Sequence, residues 1–277
     1  MAGTLYLVGT PIGNLGDFSP RAVETMKSVD FIAAEDTRVT LKLLNHFDIH
    51  KPLISYYEHN KVESSAVILP RLLAGESCVL VSDAGMPAIS DPGEQLVRLC
   101  AEQGIPVSTV PGPSAVVTAL ALSGLPTQRF TFEGFLSTAN KPRREHLETL
   151  RHERRTMVIY EAPHKLIETL KDLLEVLGDR DIALCRELTK LHEECRRTTI
   201  AQALEYYREN YPRGEFVLVI RGEAAPQGPR LPLEEALLLV ESYRREGHSL
   251  KEAAKLAAQE SGQSKNDLYH AALVNEN

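Results

Sequence analysis

LVSDAGMPAISDPG, Leu80 to Gly93, completes the apolar run CVLV and carries two Ser-Asp pairs, Ser82-Asp83 and Ser90-Asp91. An unbroken apolar run of this length suits a strand buried on both faces. A turn that only reverses the chain needs about four residues. A far longer loop, with acids placed where the strand ends, points to a segment that wraps a ligand. In open α/β sheets ligands bind beyond the carboxyl ends of the strands. We expect the first pair to belong to that pocket. The second is expected to start a helix, with Asp91 as N-cap and Pro92 at the first helical position.

Outward from this stretch, apolar runs alternate with helical periodicity. TLYLVGT, DFIAAED, PLISYY, CVLVS and IPVSTV read as strands. SPRAVETMKSV, with Ser19 as N-cap and Pro20 following, and TRVTLKLLNHF read as helices between them. The alternation predicts an α/β fold with a mostly parallel sheet covered by helices on both faces. PGPSAVVTALALSGLP, opening on Pro-Gly-Pro, is expected to be the hinge to a second α/β domain. That domain contains TMVIYE (156–161), IALCREL (182–188) and EFVLVIRG (215–222) as strands. GEAAPQGPRLP (222–232) has the composition of a linker. About three short helices follow. Ser249 and Glu252 form a capping box in one of them, and Ser264 and Asp267 repeat the style in the next. The last two could make a helix-turn-helix, but a helical cap on the body or on a partner chain is the commoner arrangement. The expected boundaries are 1–120 and 121–224 for two α/β domains with a ligand cleft between them, and 225–277 for the linker and a small helical domain.

The chain has 277 residues, 43% hydrophobic and 25% charged, which is ordinary for a globular protein of about two cores. No apolar run approaches the roughly 20 residues of a membrane helix. The amino-terminal segment lacks a basic region and reads as a first strand rather than a leader. The four cysteines have no C-x-x-C spacing and suit free thiols in a reducing cytosol. Of the nine histidines only His46 and His50 fall at H-x-x-x-H, and Phe47 stands where H-E-x-x-H needs its glutamate, so no metal is expected. A net charge of −7 argues against nucleic-acid binding by bulk charge. KPRREHLETLRHERR, Lys141 to Arg155, is nonetheless locally basic. It is either a solvated helix face laced by ion pairs or a place to hold phosphates.

Six strand ends carry Gly, Pro, acids or small hydroxyl residues: GTPIGNLGD, AEDTR, SDAGMPAISDPG, PGPSA, EAPHK and RELTKLHEE. The first has Gly9, Gly13 and Gly16, but Pro11 stands where a dinucleotide loop needs its second glycine. No Gly-Lys-Ser/Thr serves a nucleoside triphosphate. Acidic loops repel polyphosphate. They suit ribose hydroxyls or a cationic ligand.

With EGFL and GEFVLVI, these segments occur in an order that resembles the tetrapyrrole methylase superfamily, within it the branch that modifies ribosomal RNA. KEAAKLAAQESGQSKNDLYHAAL extends the resemblance almost to the end of the chain. Macrocycle methylases of the superfamily carry a Gly-Asp-Pro style motif where this chain has Asp83-Ala84-Gly85. The resemblance implies S-adenosylmethionine bound between two α/β domains, a homodimer, a cytoplasmic location and no membrane partner. It further implies methyl transfer to the ribose 2′-hydroxyl of a cytidine in the decoding region of 16S ribosomal RNA or the small subunit. The alternatives are a methylase of a small tetrapyrrole-like substrate and a non-catalytic ligand-binding protein. On the family's pattern Pro11, Asp83, Ala84, Gly85, Ala88, Ser114, Ala115, Tyr160 and Glu161 hold the methyl donor. A ribose hydroxyl is a poor nucleophile while protonated, so a base within hydrogen-bond reach would help. Glu35 and Asp36 are the candidates, with Asp17 behind them. Asn14, Arg38, Arg143, Arg144 and Lys190 are candidates for holding RNA.

Overall fold

The computed structural model describes residues 2–224 and 231–275. The chain forms two compact units, Met1–Glu223 and Ala224–Asn277. Unit 1 contains two five-stranded sheets.

The first sheet is built from β1 (Leu5–Val8), β2 (Phe31–Ala34), β3 (Leu53–Ser55), β4 (Cys78–Val81) and β5 (Val107–Val110). Helices α1 (Pro20–Ser28), α2 (Thr37–His46), α3 (Lys61–Leu73) and α4 (Glu94–Glu102) alternate with them. The order is β3-β2-β4-β1-β5 and every pairing is parallel. β2 and β4 are buried at all four positions, as their unbroken apolar runs require. Two cores flank the sheet, one around Phe31, Tyr56 and Leu80, the other around Met26, Ile32 and Val81. Ser19 accepts from the Ala22 amide ahead of Pro20, the start expected for α1.

α5 (Ala115–Ser123) leads into the second sheet: β6 (Phe130–Phe135), β7 (Thr156–Glu161), β8 (Asp181–Arg186), β9 (Glu194–Thr199) and β10 (Phe216–Ile220). α6 (Asn140–Thr149), α7 (Leu166–Leu177) and α8 (Ile200–Glu209) complete the layer. The order is β6-β7-β10-β8-β9. Only β6 and β7 are parallel; β10 runs antiparallel to both neighbours, and β9 antiparallel to β8. The expectation of a mostly parallel sheet therefore holds for the first half alone. The helix expected as a neutral hinge also belongs to one side. Val116, Ala119 and Leu120 of α5 pack with Val158, Ala183 and Val219 of the second sheet. The passage between the sheets thus falls in Pro111–Ser114, ahead of the expected boundary at 120.

Unit 2 comprises α9 (Leu233–Arg245), α10 (Leu250–Ser261) and α11 (Lys265–Asn275). Ala236, Val240, Ala253, Ala254, Ala257 and Leu268 form its core. The Ser249–Glu252 capping box is present in full. Gly262-Gln263-Ser264 joins α10 to α11, a three-residue link of helix-turn-helix length.

Candidate active site

The crossing from β1 to β2 passes over β4, so the strand order reverses between β1 and β4. Such a reversal opens a crevice at the carboxyl ends. The loops after these two strands meet there. Thr10 and Gly85 exchange backbone hydrogen bonds, with N–O distances of 2.9 and 3.1 Å, and the Thr10 hydroxyl donates to the Ser82 carbonyl at 3.1 Å. The loop after β5 closes in from the other side. A Cβ on Gly9 would stand 2.8 Å from the Gly112 Cα, so only glycine permits this approach.

The opposite wall comes from the second sheet. Its register sets Phe135 beside Tyr160, and Phe216 beside Glu161 and Arg186. The ends of β6, β7 and β8 and the start of β10 therefore converge. Together the two walls enclose a cavity of about 340 Å³. Ile12, Glu35, Asp83, Ala84, Gly85, Met86, Ile89 and Asp91 line it from one side. Phe135, Tyr160, Glu161, Ala162, Cys185, Glu187, Leu188, Lys190, Glu215, Phe216 and Val217 line it from the other, with Ser114 and Ala115 between.

Acids dominate the first wall. The Asp83 amide donates to Glu35 Oε2 at 3.4 Å and the Asp36 amide donates to Asp83 Oδ1 at 3.1 Å. This reciprocal clamp joins the loops after β2 and β4. Burial raises the Glu35 carboxyl above its ordinary value, and the charges of Asp91, Asp83 and Asp36 add to the rise. Burial likewise raises Asp83 and Asp91, the latter against a hydrogen bond with the Ser82 side chain. Three carboxylates crowded together gain from a cationic guest.

Asp36 is different. It caps α2 by accepting from the Arg38 amide at 2.8 Å, and Arg38 grips both its oxygens at 3.0 and 2.6 Å. These bonds lower its pKa to about 2. A carboxylate so stabilised is a weak base, which corrects its candidacy. Arg38 is correspondingly committed to Asp36.

The second wall holds the one lysine of the lining. Lys190 Nζ donates to Glu187 at 3.0 Å and to Glu215 at 3.2 Å. These acids raise the lysine's pKa despite its partial burial. Burial works against the Glu187 charge too, yet Lys190 and the Glu215 amide hold its carboxyl below the usual range. Glu187 and Thr189 adopt φ of 50° and 65°, conformations a side chain resists and that cluster at functional loops. A Cβ on Gly13 would lie 2.5 Å from Lys190 Cγ, so glycine lets the first loop reach this lysine.

Tyr160 stacks edge-on against Phe132 at 4.9 Å and packs against Phe135 at 5.3 Å. Burial, with Asp91 nearby, lifts its hydroxyl to about 12, so it stays protonated. Both Glu161 oxygens are committed, to the Ala162 amide at 2.8 Å and to the Thr169 hydroxyl. Ser114 precedes α5 without a side-chain cap, and Ser114 and Ala115 at the start of that helix line the cavity.

The cavity thus brings together Glu35, Asp83, Ala84, Gly85, Ser114, Ala115, Tyr160, Glu161 and Lys190 of the expected residues. Pro11 and Ala88 stand in its loops but not in its lining, each next to a lining residue, Ile12 and Ile89. Asn14 instead caps the short turn Leu15–Asp17, which includes Asp17. Arg143 is corrected outright. It is buried in α6 and its guanidinium meets Asp172 of α7 at 2.7 and 2.6 Å. Arg144 pairs with Glu175. Asp91 is corrected in the other direction. α4 starts at Glu94 behind Gly93, so Asp91 caps nothing and lines the cavity. Glu187 falls in a strand-end motif and Glu215 at the start of a strand, and the sequence gives neither a role. Phe135 carried no signal beyond its place in EGFL.

Residues 4–204 match the family described as Tetrapyrrole (Corrin/Porphyrin) Methylases, and residues 241–276 match the RsmI C-terminal HTH domain. The chain belongs to the tetrapyrrole methylase family. Among curated members, the protein named ribosomal RNA small subunit methyltransferase I of Synechocystis sp. is 49% identical, over 98% of both chains. The Bacillus subtilis protein of that name is 46% identical over 97% of this chain and 94% of its own. That of Thermotoga maritima is 48% identical over 221 residues, 80% of this chain and 99% of its own. Solved tetrapyrrole methylase-like structures share the fold. A cobalt precorrin-4 methyltransferase superposes with a TM-score of 0.57 at 19% identity, covering 78% of this chain and 94% of its own. A diphthine synthase superposes with 0.59 at 12% identity, covering 79% and 89%.

Proposed function

We propose that this protein is an S-adenosylmethionine-dependent methyltransferase acting on the 2′-hydroxyl of a cytidine in the decoding region of 16S ribosomal RNA. The observation that carries this reading is near-end-to-end similarity to proteins named ribosomal RNA small subunit methyltransferase I, at up to 49% identity. The cavity fits the donor. Its volume lies at the small end of cofactor sites. Glu35, Asp83 and Asp91 suit a sulfonium cation, Phe135 and Tyr160 suit an adenine face, and the open first turn of α5 suits a carboxylate tail. S-adenosylmethionine supplies an electrophilic methyl group when bound.

The chain's own residues do the rest. Positioning alone can supply about 7–11 kcal/mol of barrier reduction when reacting groups are held in line. The clamp between Glu35, Asp36 and Asp83 fixes two loops of the site, and the strained loop around Glu187 and Thr189 fixes a third. In this reading Glu35, which lines the cavity, accepts the ribose proton, and its raised affinity for protons supports it over Asp36. In this reading Lys190, which lines the cavity and stays charged, holds an anionic oxygen of the RNA. The reading includes a homodimer and a cytoplasmic site of action, which go with the family resemblance and a ribosomal substrate.

Incubation of the protein with purified small subunits and methyl-labelled S-adenosylmethionine tests it. Label is expected in RNA, in a dinucleotide that resists alkaline cleavage. Label in base rather than ribose, or none in RNA, overturns the reading.

A further inference from the structure

The basic stretch Lys141–Arg155 spends most of its charge internally. Arg143 pairs with Asp172, Arg144 with Glu175, Arg151 with Glu148, and Arg155 with Glu153. Arg154 is the exception. Its exposed guanidinium has no acidic partner among the described residues, and the same holds for Arg129. The two arginines come from different turns, one entering β6 and one entering β7, which the Thr156–Arg129 backbone bond holds together at 3.3 Å. They line one groove with His152, Gln128 and Thr156. Behind it, Arg180 braces the 151–153 turn by donating to the carbonyls of Arg151 and Glu153. The acids at this end are engaged: Glu153 by Arg155, Glu223 by His152, and Asp181 by Arg221. In a protein of net charge −7 this leaves a braced, locally cationic groove.

Its place matters. β6 runs from this groove at Phe130 to the cavity at Phe135. Five strand steps span roughly 17 Å. That is the reach of a few nucleotides of RNA backbone. We propose that this groove holds the RNA backbone a few nucleotides from the methylated residue, with Arg129 and Arg154 each contacting a phosphate. The proposal rests on the RNA reading above. Phosphate contacts of this kind position the strand without reading its sequence.

The test uses the full chain with Arg129→Glu, Arg154→Glu and the double variant. Arg98→Glu, a surface arginine of α4 paired with Glu102, controls for net charge. Each single variant is expected to raise the KM for small subunits about tenfold. Each should also lower the slope of log binding constant against log salt by about 0.7–0.9, measured on protein-free 16S RNA. The dissociation constant for S-adenosylmethionine should stay within twofold of the parent, which also reports intact folding. Arg129→Gln and Arg154→Gln repeat the measurement with a milder change. KM and slope matching Arg98→Glu overturn the groove. So does an effect seen with assembled subunits but absent on bare RNA, which assigns the groove to a ribosomal protein instead. Failure of the parent enzyme itself to label RNA marks failure of the functional reading.

Discussion

Asp91 sits three residues ahead of α4 and lines the cavity instead of capping the helix. The Asp-Pro pair invited the capping reading because it matches a helix start in composition. What the pair could not show is that Ala88 and Ser90 adopt φ of 66° each, a winding that carries Asp91 into the site. Glu35, Asp83 and Asp91 all titrate above their ordinary values, chiefly through burial. Each is ionised above its raised pKa and neutral below it. A sulfonium favours the ionised forms, while the demethylated product, S-adenosylhomocysteine, is a neutral thioether at the same atom. We expect the affinity ratio of donor over product to fall as pH drops through the raised carboxylate range, and Asp91→Asn to flatten that dependence. Calorimetric titration of both ligands between pH 4 and pH 8 checks this, as both share the same amino-acid group. Parallel pH profiles for the two ligands would remove the acids from charge recognition.

At the scale of elements, strands with an apolar run announced themselves and a polar one did not. β4 and β10 are apolar throughout and were legible from the sequence. β9 reads ECRRTT and is only partly buried, so no apolar run betrayed it. The same blindness applied to α6, whose basic composition suggested a solvated or phosphate-holding face. Arg143 instead ties α6 to α7 through a buried ion pair with Asp172. Removing one partner of such a pair leaves the other charge stranded, at a cost of about 3–5 kcal/mol. Arg143→Ala is therefore expected to lower unfolding stability by about that amount in urea melts. Arg144→Ala, which breaks an exposed pair, should cost under about 1 kcal/mol. The double variant Arg143→Ala/Asp172→Ala should recover part of the loss, since no uncompensated charge remains. Equal, small losses at 143 and 144 would contradict the buried tie.

At the scale of the whole molecule, every residue that lines the cavity lies between Ile12 and Val217, inside unit 1. The strand-end rule located the cavity from the sequence, because ligand sites follow from sheet topology. The identity of individual lining residues did not follow, because antiparallel β10 brings Glu215 and Phe216 in by the start of a strand rather than its end. The Thermotoga maritima relative matches over 221 residues that make up 99% of it, close to the length of unit 1, which ends at Glu223. Donor binding should accordingly need nothing beyond Glu223. A chain ended there is expected to bind S-adenosylmethionine with a dissociation constant within about twofold of the full chain, and to melt in one cooperative transition. The described helices of unit 2 have their own core, and if they hold RNA their loss falls on the RNA substrate alone. The shortened chain should therefore keep donor affinity while its KM for small subunits rises. Loss of donor binding on truncation would show that unit 2 completes the pocket. An unchanged KM would remove unit 2 from substrate recognition.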